Sequence, residues 1–150
     1  MELKLKWFKE LSGEEVYRLM QARSEVFFLE QQITVEDADG IDLRALHLWL
    51  EEAGEVVALL RILPPEVTED GFPSIGRLLV RRPWRRRGLC RRIMLEAIDC
   101  VQRNWPQLEI HISAQRYLVD FYGELGFEIT SDVYLEAGIE HQSMRMAAKC

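Results

Sequence analysis

Cysteine is scarce in this 150-residue chain, with three in all, and their spacing forms neither a zinc site nor a disulfide framework. Cys90 and Cys100 would share one helix about 15 Å apart at 1.5 Å rise per residue, well beyond disulfide reach. A long apolar run is missing as well. The opening segment MELKLKWFKE alternates apolar and charged residues, where a signal peptide or a membrane span needs continuous hydrophobicity. Both absences point to a cytoplasmic protein with no membrane partner. Five prolines and nine glycines are too few for a linker or a low-complexity segment, and no repeat is visible, so residues 1–150 are expected to form one domain. What is abundant is ordinary globular material: 48% hydrophobic residues, with charges of both signs spread among them.

Acid outweighs base, giving a formal net charge of −6, yet the balance is uneven. Positions 81–92 hold seven arginines and no acid, and removing those seven positive charges from the total leaves −13 on the rest of the chain. One concentrated cationic patch on an acidic protein suits a local anionic ligand better than a long nucleic-acid track. Charge alone leaves a nucleic-acid-binding module built on Arg81–Arg92 open as an alternative.

Leu3, Leu5 and Trp7 alternate with lysines, as in a strand with one buried face. Ser12 and Glu15 have capping-box spacing, and Val16, Leu19, Met20, Arg23 and Phe27 recur on one face of a helix expected to end near Glu30. An acidic, turn-rich loop follows over 31–44. The runs 46–51 and 56–63 flank Ala53-Gly54 as a hairpin, and Pro64-Pro65 stops the second strand. Further on, 74–80 reads as a strand, 88–104 as a helix, 108–114 as a strand and 118–125 as a helix. The segments 127–134 and 142–147 read as a closing pair of strands. The order is β-α-β-β-β-α-β-α-β-β.

The run Arg85-Arg86-Arg87-Gly88-Leu89-Cys90 lies where a strand hands over to a helix. Backbone N–H groups there lack intrahelical acceptors and sit at the positive end of the helix dipole, a setting that binds phosphate. Gly88 allows close backbone approach. A second stretch, Gln115 to Phe127, ends in Tyr122-x-x-x-Gly126-Phe127. Together these segments resemble the two signatures of the GNAT superfamily of acetyltransferases. Arg85-x-x-Gly88-x-Cys90 matches the family's Arg/Gln-x-x-Gly-x-Gly/Ala loop except at Cys90, and Gln115 stands where the second signature commonly has asparagine. Matches at Arg23-x-x-Val26-Phe27-x-x-Glu30-Gln31, Asp37-x-Asp39, Gly76-Arg77, Ala114-Gln115 and Tyr134-x-Glu136-x-Gly138-Ile139-x-His141 are similar to the ElaA-like branch.

The resemblance implies one α/β (α+β) GNAT-like domain, a mixed, mostly antiparallel sheet of about seven strands with helices on both faces. It implies an N-acetyltransferase that moves an acetyl group from acetyl-CoA to a primary amine by direct attack in a ternary complex, without a metal. Leu78, Leu79 and Val80 would pair with the pantetheine arm, an N–H near Leu79 would polarise the thioester carbonyl, and Arg85, Arg86, Arg87, Gly88, Leu89 and Cys90 would cradle the pyrophosphate. Gln115 and Tyr122 would lie beside the coenzyme, with Tyr122 protonating the departing thiolate. A homodimer paired through carboxy-terminal strands is a further implication.

For the proton acceptor, Glu30, His111, His141 and a water chain remain open. Asp37 and Asp39, in the acidic loop from Glu36 to Asp42, are expected to attract a cationic amine. That loop superficially resembles a calcium loop, but Leu48 occupies the twelfth position, where a bidentate glutamate belongs. A non-catalytic acyl-CoA-binding regulator on the same fold is the main alternative, given Cys90 and the open question of the base.

Overall fold

The computed structural model describes residues 1–149. In chain order its elements are β1 (Glu2–Trp7), α1 (Gly13–Arg23) continuing as a wider coil over Ser24–Glu30, β2 (Leu46–Glu52), β3 (Glu55–Leu63), β4 (Ser74–Val80), α2 (Leu89–Asn104), β5 (Ile110–Gln115), α3 (Val119–Glu124), β6 (Glu128–Ile129), β7 (Tyr134–Glu136) and β8 (Ile139–Met146). The strands form one sheet in the order β1-β2-β3-β4-β5-β8-β6, with β7 also pairing β8. Only β4 and β5 run parallel; the other neighbours are antiparallel.

Strand alternation explains why helices cover both faces. Leu46, Leu48 and Leu50 of β2 point to one side, where Ile93, Met94, Ala97 and Val101 of α2 pack on them. Trp49, between them, points to the other side and meets Leu19, Val26 and Phe27 of the first helix. Those four α2 residues have no exposed surface, and burial stabilises each of the larger side chains by about 1.5–3 kcal/mol. Among the described residues no helix is long and apolar enough to cross a membrane.

Ser12 caps α1 as its spacing predicts: its Oγ accepts from Glu15 N at 3.0 Å, and its N–H donates to Glu15 Oε1 at 2.9 Å. The helical stretch does end at Glu30, but the α winding stops at Arg23. From Ser24 the coil widens into π-helical turns, and the Gln31 N–H reaches back to Val26 O at 3.0 Å. Such turns often mark functional positions, and here the widened coil borders a cavity.

The carboxy-terminal strands differ from expectation, raising the strand number to eight. The stretch 127–134 is not one strand but two short ones separated by a bend. At that bend Ser131 Oγ accepts from the Ser143 N–H at 2.9 Å, so a side chain replaces a ladder carbonyl. Ala137 and Gly138, both with positive φ, then close a tight β7–β8 hairpin, so β8 starts three residues before the predicted position.

Candidate active site

Two irregularities in β4 build the site. The first is a bulge: Leu59 opposes Leu79 but Arg61 opposes Gly76, so β4 carries one extra residue, and Arg77 there has φ +56°. Bulges re-aim side chains, and this one sends the Arg77 guanidinium to Asp37 Oδ1 at 2.9 Å. The second is a splay. β4 and β5 register at one position, Ser74 with His111, and beyond it no ladder joins them. A cavity of about 630 Å³ opens here, with Phe27 and Gln31 from the first helix, Leu78 from β4, Gln115 from β5, and Tyr122 and His141 among its walls.

Backbone polarity along β4 follows from its pairing. The Arg81 N–H donates to Val57 O at 2.9 Å, so Val57/Arg81 and, two residues on, Leu59/Leu79 are the hydrogen-bonded pairs of the antiparallel ladder. The Leu79 N–H therefore faces β3, which corrects the expectation that it polarises a thioester. Val80, and Leu78 two residues before it, turn their N–H groups to the open side. The Val80 carbonyl on that side accepts from Arg85 Nε at 2.8 Å.

The loop before α2 has the predicted form. Arg86 and Gly88 both take left-handed backbone conformations, φ +65° and +72°, curling successive N–H groups into a concave nest. The first α2 bond runs from the Arg92 N–H to Gly88 O at 3.1 Å. No backbone acceptor among the described residues meets the N–H groups from Gly88 to Arg91. A Cβ at Gly88 would meet nothing within 4 Å, so the approach to the nest is open. Through the bond from Arg85 to the Val80 carbonyl the loop is tied directly to the open edge of β4.

Several predicted site residues prove to be otherwise engaged. Glu30 pairs with Arg85 at 2.8 Å and Arg82 at 3.5 Å and is not a cavity wall, so it is a counter-ion rather than a free base. Arg81 is tied to Glu25 at 2.8 Å. These pairs engage three of the seven arginines in the run.

Asp37 and Asp39 are likewise not free to attract a cation. Arg23 donates to Asp37 Oδ2 at 2.8 Å and to Asp42 Oδ1 at 2.7 Å. Arg61 holds Asp39 Oδ2 at 2.8 Å and Asp42 Oδ1 at 3.0 Å, and Arg77 reaches Asp39 Oδ2 at 3.4 Å. Three arginines balance three aspartates, and together they brace the acidic loop against the sheet.

His111 also lies elsewhere. Its ring stacks on Phe72 with centroids 4.1 Å apart, and its nitrogens meet Asp70 Oδ2 at 2.8 Å and Glu109 Oε1 at 3.0 Å, away from the cavity walls. Partial burial opposes charge on this ring, but the two carboxylates outweigh it and raise the His111 pKa. A raised folded-state value means stabilisation that is complete below the unfolded histidine pKa of about 6.5 and lost as pH rises through the folded value. Urea titrations should show this decline in wild type and not in His111→Gln.

His141, by contrast, is 6% exposed and does face the cavity, as does Gln115, whose Nε2 donates to Gln31 Oε1 at 3.1 Å across the gap. Tyr122 is buried against Phe121 and Phe127 in edge-on contacts, and burial, then Cys90 and Tyr117, push its pKa upward. No residue among those described accepts a hydrogen bond from its hydroxyl. Ser113 and Glu136 line the same cavity; sequence offered Glu136 only as part of a family match, with no role in the site, and did not offer Ser113. Arg61 was also missed, although a charge inside the apolar run Val56–Leu63 is a visible signal.

A splayed parallel pair beside a bulged strand, with an open amide nest at the next helix, defines an acyl-CoA-dependent transferase fold, and the comparisons agree. Residues 8–148 match the family model described as acetyltransferase (GNAT) domain, and the chain belongs to that family. It is similar to a UPF0039 protein of Synechocystis, 38% identical over 147 residues, covering 96% of this chain and 95% of the relative. The ElaA protein of Escherichia coli is 34% identical over 138 residues, 90% of this chain and 89% of ElaA, and its crystal structure superposes with a TM-score of 0.89 over 97% and 98% of the two chains. An acyl-CoA N-acyltransferase from Pseudomonas aeruginosa superposes with a TM-score of 0.92 at 36% identity, covering 97% and 99%.

Proposed function

We propose that this protein is a cytoplasmic N-acetyltransferase that transfers the acetyl group of acetyl-CoA to a primary amine within a ternary complex. The observation that carries the reading is the continuity between the unpaired edge of β4 and the open amide nest at the start of α2. The nest, with Arg86 and Arg87 beside it, takes the pyrophosphate. The pantetheine arm lies along Leu78 and Val80, and the Val80 N–H takes the role that sequence gave to Leu79, polarising the thioester carbonyl. Gln115 flanks the arm from β5.

Direct attack is favoured over an acyl-cysteine intermediate. Burial pushes the Cys90 thiol up to about 11, so it stays protonated and poorly nucleophilic at neutral pH. Burial likewise keeps Tyr122 protonated. Its hydroxyl is therefore a donor to the leaving sulfur, relaying a proton from the acylated nitrogen rather than ionising on its own.

Acetyl-CoA binding should raise the unfolding free energy by about 2.7 kcal/mol at a hundred times its Kd, read as a rise in Tm. No shift at millimolar acetyl-CoA would sink the reading. Free thiol release with a panel of phenethylamine, spermidine and a short peptide separates an enzyme from a regulator, which would bind and not turn over.

A further inference from the structure

Resting on the acetyltransferase reading, we infer that His141 is the base that takes the proton of the incoming ammonium, and that Glu136, Ser113 and Tyr134 hold it in position. His141 Nδ1 lies 2.7 Å from the Ile139 carbonyl. That carbonyl only accepts, so Nδ1 carries the hydrogen, and the neutral ring presents the lone pair of Nε2. His141 stands opposite both Gln115 and Tyr134 in the ladders, at the end of β5 beside the splay. Its ring stacks on Tyr134, with centroids 6.1 Å apart.

Nε2 does not face the cavity alone. Glu136 Oε2 is 3.5 Å from it, and the other carboxylate oxygen accepts from Ser113 Oγ at 3.2 Å. Ser113 in turn is held by the Tyr134 hydroxyl, which accepts from Ser143 Oγ at 3.3 Å. Every donor in this chain points toward Glu136 and fixes its carboxylate on β7. A proton arriving on Nε2 meets that negative charge directly.

The other charges around the ring do not compete. Glu140, on its own strand, faces Arg116 at 4.0 Å. Across the cavity Arg23, Arg61 and Arg77 are balanced by Asp37, Asp39 and Asp42. Among the described residues Glu136 and Glu36 thus remain on the cavity wall without an arginine partner, and Phe27, Phe28, Ile33 and Val35 supply apolar surface. This suits a cationic amine on an apolar body.

The step balances as follows. The ammonium gives one proton to His141 Nε2, its freed lone pair bonds to the thioester carbon, and the carbonyl electrons move to oxygen. As they return, the carbon–sulfur bond breaks, and a second nitrogen proton passes through the Tyr122 hydroxyl to sulfur. His141 releases its proton to water, leaving the amide, free CoA and one proton.

The test follows kcat/KM against pH for the fastest acceptor of the three-amine panel, in wild type, His141→Gln and Glu136→Gln. Wild type should rise through an acid limb to a plateau. His141→Gln should lose the plateau, climbing with unit slope until the amine itself deprotonates, and fall about 10²-fold or more at neutral pH. Glu136→Gln should keep the plateau and lower kcat with KM nearly unchanged, which a loss of substrate-site packing would not produce. Hydroxylamine, already unprotonated at neutral pH, should be acetylated at similar rates by wild type and His141→Gln. Calorimetry should give the same acetyl-CoA Kd for all three, which also shows that the variants fold. A plateau retained in His141→Gln overturns the base assignment and leaves the acetyltransferase reading standing. Acetyl-CoA binding with no amine acetylated overturns that reading, and the base with it.

Discussion

Replacing Arg23 with methionine should lower the free energy of unfolding by about 3–5 kcal/mol, because removing one partner of a buried ion pair strands the other. Arg23 is 2% exposed and gives three hydrogen bonds, two to the carboxylates of Asp37 and Asp42 and one to the Asp37 carbonyl at 3.1 Å. Methionine fills similar space, so the loss is electrostatic. In urea the midpoint should fall with the slope unchanged, whereas Arg18→Met, which removes only the exposed pair with Glu14, should change stability by about 0.3–0.5 kcal/mol. A small effect at Arg23 would mean that Arg61 and Arg77 hold the loop by themselves.

The same network should help the fold to resist acid. The hydrogen bond from Arg61 holds the Asp39 carboxyl well below the usual range. For Asp42, burial pushes upward but is outweighed by Arg23 and Arg61. Lowered folded values mean stabilisation present above the unfolded aspartate pKa of about 3.9 and lost only as pH falls through the folded values.

Tyr122→Phe should reduce kcat by about 10²-fold or more while leaving acetyl-CoA affinity nearly unchanged. Phenylalanine keeps the edge-on contacts with Phe121 and Phe127, whose centroids lie 5.3 and 5.9 Å away, so only the hydroxyl is lost. Because burial raises the Tyr122 pKa, its ionisation should not set the alkaline side of the wild-type profile. Single-turnover kinetics with acetyl-CoA titrated separately give the two quantities. Equal losses in both would assign the residue to packing.

Side-chain periodicity revealed most of the fold, because burial of one face leaves its trace at every second or every third and fourth residue. Ser12 and Glu15 announced a helix start that depends only on neighbours. The amide nest at Gly88 was legible for the same reason: a glycine between a strand and a helix is a local statement. What escaped was non-local or belonged to the backbone. Which of Leu79 and Val80 turns its N–H to the cleft is set by the phase of the β3–β4 ladder, and side-chain identities do not encode it. Glu30 looked available because Arg82 and Arg85 stand more than fifty positions away. His111 sits on a strand that reads correctly, yet its carboxylate partners fix it in a separate cluster. Ser131 displaced a strand bond through its hydroxyl, which made two short strands of one.

The bulge and splay of β4 have a consequence for solubility and recognition alike. Sheets ordinarily expose their unsatisfied strands at the rims, where any passing extended chain can add itself. This sheet keeps a further pair of half-satisfied strands in its interior, flanked by α2 and the first helix, with a mouth lined by tyrosines and the β7–β8 hairpin. A flexible, amide-bearing molecule pairing with these strands would be held within the sheet rather than at its rim.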